Sequence, residues 1–181
     1  MITGDQIKEI IGSSVHYTDQ QYTGFAVTFN SIFAGFEINT YLRVCHFMAQ
    51  VFHETEELRY SSEIWGPTAQ QSAYEGRKDL GNTVAGDGYR FKGRGWFQYT
   101  GRFNYQQLSD KLKQDFINHP ELLAQQPWCG LSAGYFWSLH NLNAFADKDD
   151  AESITRRING GLNGLAEREA WLVKCKNVIK T

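Results

Sequence analysis

The sequence predicts a mainly α-helical protein with a small antiparallel β element in an irregular segment at about residues 59–100. Apolar side chains recur at steps of three and four on both sides of this segment, and the recurrence stops where glycine becomes frequent. A chain of 181 residues is long enough for one domain with its own core. We therefore predict a single domain over residues 1–181, with a helical lobe and an irregular, β-containing lobe.

Three helices are predicted before the irregular segment. The first begins at a capping box formed by Thr3 and Gln6. The second spans 18–36 and carries a wide apolar stripe. The third follows the cap residue Thr40, runs to about Glu57 and is strongly apolar, so we expect it to be the buried central helix.

Helical spacing returns after the irregular segment. Each further segment is bounded by Pro, Gly, Asn or Asp, which are typical of helix ends. The predicted helices span 102–116, a short stretch after Pro120, 128–139, 150–158 and 165–178. Because a long irregular stretch in a compact domain is usually a functional loop region, we expect the function to lie in the middle of the chain.

Charge and composition argue against several function classes. The chain has 18 Lys and Arg against 20 Asp and Glu, far from the basic excess that drives nucleic-acid binding. No apolar run is long enough for stable membrane insertion, and the N-terminus lacks the pattern of a signal peptide. Three widely spaced cysteines suit neither a disulfide framework nor a Cys-x-x-Cys metal site.

One segment departs from this slightly acidic balance. Residues 74–104 contain six basic and three acidic side chains. Such a patch would favour anionic polymers, among them peptidoglycan with its peptide carboxylates, although a solvated surface is the commoner explanation.

Two carboxylates near the end of the third helix are candidates for catalysis. Glu63 follows Glu54 by nine residues, and at ~100° per residue a continuous helix would place them on opposite faces. They can face each other only if the chain turns back after about Tyr60. Two carboxylates across a cleft suit glycoside hydrolysis, in which one protonates the leaving oxygen and the other activates water or attacks the sugar. The alternative is that both are solvated surface charges.

Several longer segments carry a recognisable pattern. They include His53-Glu54-Thr55, Ser62-Glu63-Ile64-Trp65-Gly66-Pro67-Thr68, Tyr74-Glu75-Gly76-Arg77, Gly93-Arg94-Gly95-Trp96-Phe97-Gln98-Tyr99-Thr100-Gly101-Arg102-Phe103-Asn104-Tyr105 and Ile158-Asn159-Gly160-Gly161. From about residue 40 to the end, the sequence resembles glycoside hydrolase family 19, and more narrowly the chitinase-like endolysins of phages that infect Gram-negative bacteria. The resemblance implies an inverting mechanism and a helical, bilobal, lysozyme-like fold with the cleft between the lobes.

The resemblance also implies roles for individual residues. Glu54 matches the general acid, Glu63 the general base, and Thr100 the hydroxyl that helps hold the nucleophilic water. The residues expected to bind substrate are Gln98, Asn104, Tyr105, Asn159, Arg168 and Trp65. Neither a metal nor a cofactor is implied. The sequence departs from many relatives at Glu56-Glu57, where they have Gly-Gly, which puts the loop geometry after the acid in doubt.

We therefore predict an inverting glycosidase that cleaves β-1,4 bonds in the glycan strands of bacterial peptidoglycan and lyses the host cell. The alternatives are a chitinase acting on N-acetylglucosamine polymers, a non-catalytic glycan-binding module and a secreted antibacterial effector. We expect a monomer made in the host cytoplasm without a signal peptide. A holin-type membrane lesion would give it access to the cell wall in the periplasm.

Overall fold

The computed structural model describes residues 1–12 and 15–180, and these are mainly helical. The α-helices are α1 (Gly4–Ile11), α2 (Asp19–Gly35), α3 (Tyr41–Glu54), α4 (Ala69–Ser72), α5 (Asp87–Arg90), α6 (Arg102–Leu112), α7 (Trp128–Leu139), α8 (Asn143–Ala146), α9 (Ala151–Asn159) and α10 (Leu165–Val178). Two 3₁₀ helices span Lys78–Leu80 and Pro120–Ala124. The chain divides into unit 1, Met1–Arg59 with Gly134–Thr181, and unit 2, Tyr60–Ala133.

Side-chain caps set the starts of the first three helices. The hydroxyl of Thr3 accepts from the backbone of Gln6, and the side chain of Gln6 closes the capping box. Thr18 and Gln21 repeat this arrangement at α2, and Thr40 caps α3. Each cap satisfies backbone N–H groups that the first helical turn leaves without partners. The three helix starts predicted from the sequence are confirmed.

The core of unit 1 is aromatic and surrounds α3. Phe47 of α3 contacts Trp137 of α7 edge to face, with ring centroids 5.3 Å apart, and both side chains are fully buried. Phe52 lies against Trp171 of α10 at 5.4 Å. The expectation that the third helix is buried and central to its unit agrees with this packing. The packing of α3 on α10 also fixes the end of α3, where Glu54 lies.

Unit 2 is less regular than unit 1. Its described residues include no strand, only isolated antiparallel bridges that join Arg94 to Ser62 and to Tyr99. The predicted β element is therefore not confirmed. Gly95 and Gln98 both have positive φ, 82° and 51°, and the tight turn between them leaves only the residues at its base to pair.

The helix ends differ from the predictions in several places. α3 ends at Glu54 rather than near residue 57, and α6 ends at Leu112 rather than at 116. The four-residue helices α4, α5 and α8 were not predicted, because so short a segment shows no periodicity. No helix in the described ranges is long and apolar enough to cross a membrane.

The three cysteines are free and buried. Burial raises the pKa of the Cys45 and Cys129 thiols to about 12, and it raises that of Cys175 as well. Thiols with such pKa values are protonated at neutral pH and are poor nucleophiles. Within residues 1–12 and 15–180, no group of three or more His, Cys, Asp or Glu side chains is placed to hold a metal ion.

Candidate active site

Glu54 is the last residue of α3, and its carboxylate is held by α10. The guanidinium of Arg168 donates through Nη2 to Oε1 of Glu54 and through Nη1 to Oε1 of Gln50. The Arg168 side chain is 1% exposed, whereas that of Glu54 is 19% exposed. A buried guanidinium is tolerated only when paired, so these contacts fix both partners. Arg168 therefore lies beside the predicted acid.

The two oxygens of Glu54 are not equivalent. Oε1 accepts from Arg168, whereas Oε2 has no hydrogen-bond partner among the residues that the structure describes. A carboxyl group held by one oxygen keeps the other available to carry a proton. Gln50 precedes Glu54 by one helical turn, so that the same face of α3 presents both side chains to Arg168.

His53 links the end of α3 to the start of α10. A Cβ on Gly164, the residue that precedes α10, would lie 2.5 Å from Nε2 of His53, so only glycine allows this close approach. Nδ1 of His53 lies 3.4 Å from Oε2 of Glu167. Burial, reinforced by Arg168, lowers the pKa of His53. The imidazole is therefore neutral at neutral pH and serves as packing between the two helices.

The backbone after Glu54 makes an unusual turn. Glu56, Glu57 and Leu58 have φ values of 46°, 65° and 70°, so three consecutive non-glycine residues are left-handed. The backbone N–H of Glu57 donates to the carbonyl of Phe52 at 2.8 Å, and that of Leu58 donates to the hydroxyl of Thr55 at 2.8 Å. These bonds hold a conformation that L-residues disfavour. Glycines would adopt it readily.

Glu63 lies in unit 2, and donors hold both of its carboxylate oxygens. The backbone N–H of Gly93 donates to Oε1 at 2.5 Å, and the side-chain amide of Gln71 donates to Oε2 at 3.0 Å. The other end of the Gln71 amide accepts from the backbone of Gly66 and Thr68, closing the capping box of α4. A helix cap thus also orients the predicted base.

Three predicted site residues converge on Gly93. A Cβ at this position would lie 3.3 Å from Oε1 of Glu63, 3.3 Å from Oγ1 of Thr100 and 2.5 Å from Oε1 of Gln98. The lack of a side chain on Gly93 lets a carboxylate, a hydroxyl and an amide oxygen approach one point beside its backbone. A group of polar atoms of this kind can hold a water molecule, which needs two to four polar partners.

Further bonds hold Thr100 and Gln98. The Thr100 hydroxyl donates to the carbonyl of Gln98 at 3.2 Å, and the side-chain amide of Asn104 donates to the carbonyl of Thr100 at 2.8 Å. Gln98 adopts φ 51°, a strained value for a non-glycine residue. Asn104 therefore holds the backbone of Thr100, the residue whose hydroxyl faces Gly93.

The remaining predicted residues are placed differently. Trp65 is half-buried and packs edge to face on Tyr89, with ring centroids 5.2 Å apart. Tyr105 is fully buried, and its hydroxyl donates to the carbonyl of Lys92 at 2.6 Å, a placement that supports positioning rather than direct contact with substrate. Asn159 is exposed at the end of α9 in unit 1.

Known proteins with similar sequences include two glycoside hydrolase relatives, although no family model matches the chain. A glycosyl hydrolase family 19 domain-containing protein of Haemophilus influenzae is 36% identical over 95 residues, 52% of this chain and 46% of that protein. An endochitinase of Pisum sativum is 27% identical over 141 residues, 74% of this chain and 44% of that protein. The chain thus spans about half the length of these relatives.

Solved structures agree with the sequence comparison. The structure of a bacterial family 19 chitinase matches with a TM-score of 0.67 at 22% identity, covering 97% of this chain and 95% of that one. The fold is that of the family 19 chitinases. The resemblance to glycoside hydrolase family 19 and the mainly helical fold that it implies are confirmed.

Within this family 19 fold, the structure groups the predicted residues by unit. Glu54 and Arg168 meet in unit 1, and Glu63, Thr100 and Gln98 meet in unit 2. Sequence reasoning did not identify Gln50 and Gln71, which hold Arg168 and Glu63. Gln50 could have been found from its spacing of four residues before Glu54. No sequence pattern indicates the contact between Gln71 and Glu63.

Proposed function

We propose that the chain is an inverting glycoside hydrolase that cleaves β-1,4 bonds in the glycan strands of bacterial peptidoglycan. The observation that carries the proposal is the convergence of Glu63, Thr100 and Gln98 beside the backbone of Gly93. A water molecule bound by these groups would have a carboxylate to take its proton and a hydroxyl to orient it. Similarity to family 19 proteins supports the same assignment.

Glu63 is proposed as the general base. Its carboxylate cannot rotate freely, because Gly93 and Gln71 each hold one oxygen. A fixed orientation converts the attack of water on the sugar into a step between prepositioned groups. Thr100 contributes its hydroxyl to the same water, and Asn104 keeps the backbone of Thr100 in place.

Glu54 is proposed as the general acid. In this role Oε2 delivers a proton to the leaving oxygen while Arg168 holds Oε1. An inverting mechanism uses one carboxyl group as the acid and a second as the base, so the proposal requires both Glu54 and Glu63 for bond cleavage.

We propose peptidoglycan rather than chitin as the substrate because the two polymers differ in charge. Chitin is uncharged, whereas peptidoglycan carries peptide carboxylates that would be attracted to the basic residues among 74–104. Chitinase activity is the second candidate, favoured by the similarity to the pea endochitinase. We further propose that the protein acts as a phage endolysin, as a monomer, on the periplasmic cell wall of the bacterium in which it is made, after a holin-type lesion opens the membrane.

The test compares Glu54→Gln and Glu63→Gln with the wild type on soluble peptidoglycan and on chitin oligomers. General acid and base groups contribute typically ~10²–10⁴-fold, so each variant should lose at least about a hundredfold in kcat with unchanged thermal unfolding. Glu9→Gln, which removes an exposed carboxylate on α1, is the control and should keep full activity. Retention of more than a tenth of the rate by Glu54→Gln would eliminate it as the acid. Faster cleavage of chitin than of peptidoglycan would favour the chitinase alternative.

A further inference from the structure

A second polar cavity lies within unit 2. Its volume is about 440 Å³, and three arginines, Arg90, Arg94 and Arg102, contribute to its wall together with Asp87 and Tyr89. We refer to it as the arginine pocket. None of these residues belongs to the proposed catalytic set.

The charges in the arginine pocket are not balanced. Arg102 is paired with Asp87, donating from Nε at 2.9 Å and from Nη2 at 2.5 Å, and this contact lowers the pKa of Asp87. Neither Arg90 nor Arg94 has a carboxylate within ion-pair distance in the part of the chain that the structure describes. Glu121 also lines the pocket, where it lies 3.5 Å from Nδ1 of His119, so three arginines face two carboxylates and the wall keeps a net positive charge.

Arg94 is unusual because it is also buried, with 8% of the residue exposed. Its Nη1 donates to the carbonyl of Arg90 and to the hydroxyl of Tyr105, each at 2.9 Å. Both acceptors are neutral, so they leave the positive charge uncompensated. A buried charge without a partner is costly, and an anion in the cavity that it lines would offset that cost.

The arginine pocket is linked to Glu63 through the neighbouring residue Gly93 and through aromatic contacts. Arg94 follows Gly93, whose N–H holds Glu63. Tyr89 at the pocket packs on Trp65, and the ammonium of Lys92 lies 5.4 Å from the centre of the Tyr89 ring. The side chains that surround Glu63 and those that line the arginine pocket are therefore neighbours in unit 2.

We propose that the arginine pocket binds a carboxylate of the peptide attached to the glycan strand, an inference that rests on the proposed function. A guanidinium presents a planar fork of donors that matches a carboxylate with two hydrogen bonds. Such a pocket would select glycan strands that carry peptides over uncharged polymers of N-acetylglucosamine. It would do so without taking part in bond cleavage.

The experiment measures kcat/KM for three soluble substrates: peptidoglycan fragments with intact peptides, the same fragments with amidated carboxyl groups, and glycan strands freed of peptide. Arg90→Gln is the main variant, because Arg90 is exposed and its contacts are to the carbonyl of Ile117. Arg90→Lys keeps the charge but not the fork. Lys111→Gln, an exposed cation on α6, is the matched control.

Arg90→Gln should lose about tenfold in kcat/KM on the intact fragments and less than twofold on the two substrates without carboxylates. Arg90→Lys should recover part of the loss, and Lys111→Gln should behave as the wild type. Equal losses on all three substrates, or none on any, would overturn the proposal. So would equal wild-type rates on intact and amidated fragments.

Failure of the proposed function has a different signature. In that case the wild type cleaves none of the three substrates. The pocket is then tested by calorimetry on the full chain, with the free stem peptide and its amidated form as probes. Weaker binding of the free peptide by Arg90→Gln would support the pocket, and binding of the two peptides with equal affinity would reject it.

Discussion

Replacing Gly93 with alanine should damage catalysis while leaving the fold almost intact. The added methyl would lie 3.3 Å from Oε1 of Glu63 and from Oγ1 of Thr100, so both must move by a few tenths of an ångström. It would lie 2.5 Å from Oε1 of Gln98, which must move by about 1 Å to reach ordinary contact. The methyl would thus displace the groups proposed to hold the water.

A misplacement of ~1 Å in a site can cost about a hundredfold, and here a shift of that size at Gln98 adds to smaller shifts at Glu63 and Thr100, so we expect kcat to fall ~10–100-fold. Since the Glu63 carboxylate is held by Gly93 and Gln71 and cannot move freely away from the methyl, the unfolding free energy should fall by ~1–3 kcal/mol. Steady-state kinetics and thermal unfolding measure the two effects. Gly35→Ala, where nothing lies within 4 Å of the new methyl, controls for the substitution itself. A Gly93→Ala variant with kcat within threefold of the wild type would refute the proposed water site.

Three further predictions test other parts of the molecule. The reducing end released first from a β-linked substrate should be the α-anomer by proton NMR; the β-anomer would instead require a covalent intermediate. Thr100→Val should lose ~10–100-fold in kcat and Thr100→Ser should recover most of it, whereas equal losses would assign the effect to the methyl group. Asp87→Asn should lower the unfolding free energy by ~2 kcal/mol at pH 7, because the side chain is buried beside Arg102. Since Arg102 lowers the pKa of Asp87 below 3.8, this contribution is present above that pH and is lost as the pH falls through the folded-state value; a difference unchanged at pH 2 would contradict the assignment.

Helix starts were predictable because their signals are local. Thr3 with Gln6 and Thr18 with Gln21 place a hydroxyl and an amide three residues apart, and both capping boxes form. A capping box needs nothing from the rest of the chain. The end of α6 lacks such a signal: Lys113 adopts a left-handed φ of 56°, although its side chain does not favour one.

The catalytic candidates were proposed from family-specific segments, whereas no segment pointed to the groups that hold them. The resemblance pointed to Glu63, but its orientation depends on Gln71, whose sequence pattern indicates only a helix cap. The amide of Gln71 has both a donor and an acceptor end, and the fold uses one for the cap and the other for the carboxylate. The sequence pattern therefore indicates the helix cap but not the hydrogen bond to the carboxylate.

The turn after Glu54 has a left-handed backbone that its own residue types do not favour. Glycines at positions 56 and 57 would adopt left-handed φ at little cost, but this chain adopts it with glutamates. The hydroxyl of Thr55 accepts from Leu58, and the hydroxyl of Tyr17 donates to the carbonyl of Glu57 at 3.0 Å. Because Tyr17 is 40 residues away in the sequence, a tertiary contact adds to the bonds that the turn makes within itself. The departure from Gly-Gly therefore leaves a defined backbone after the predicted acid, at a cost in strain of ~1 kcal/mol or more per residue that the rest of unit 1 must offset.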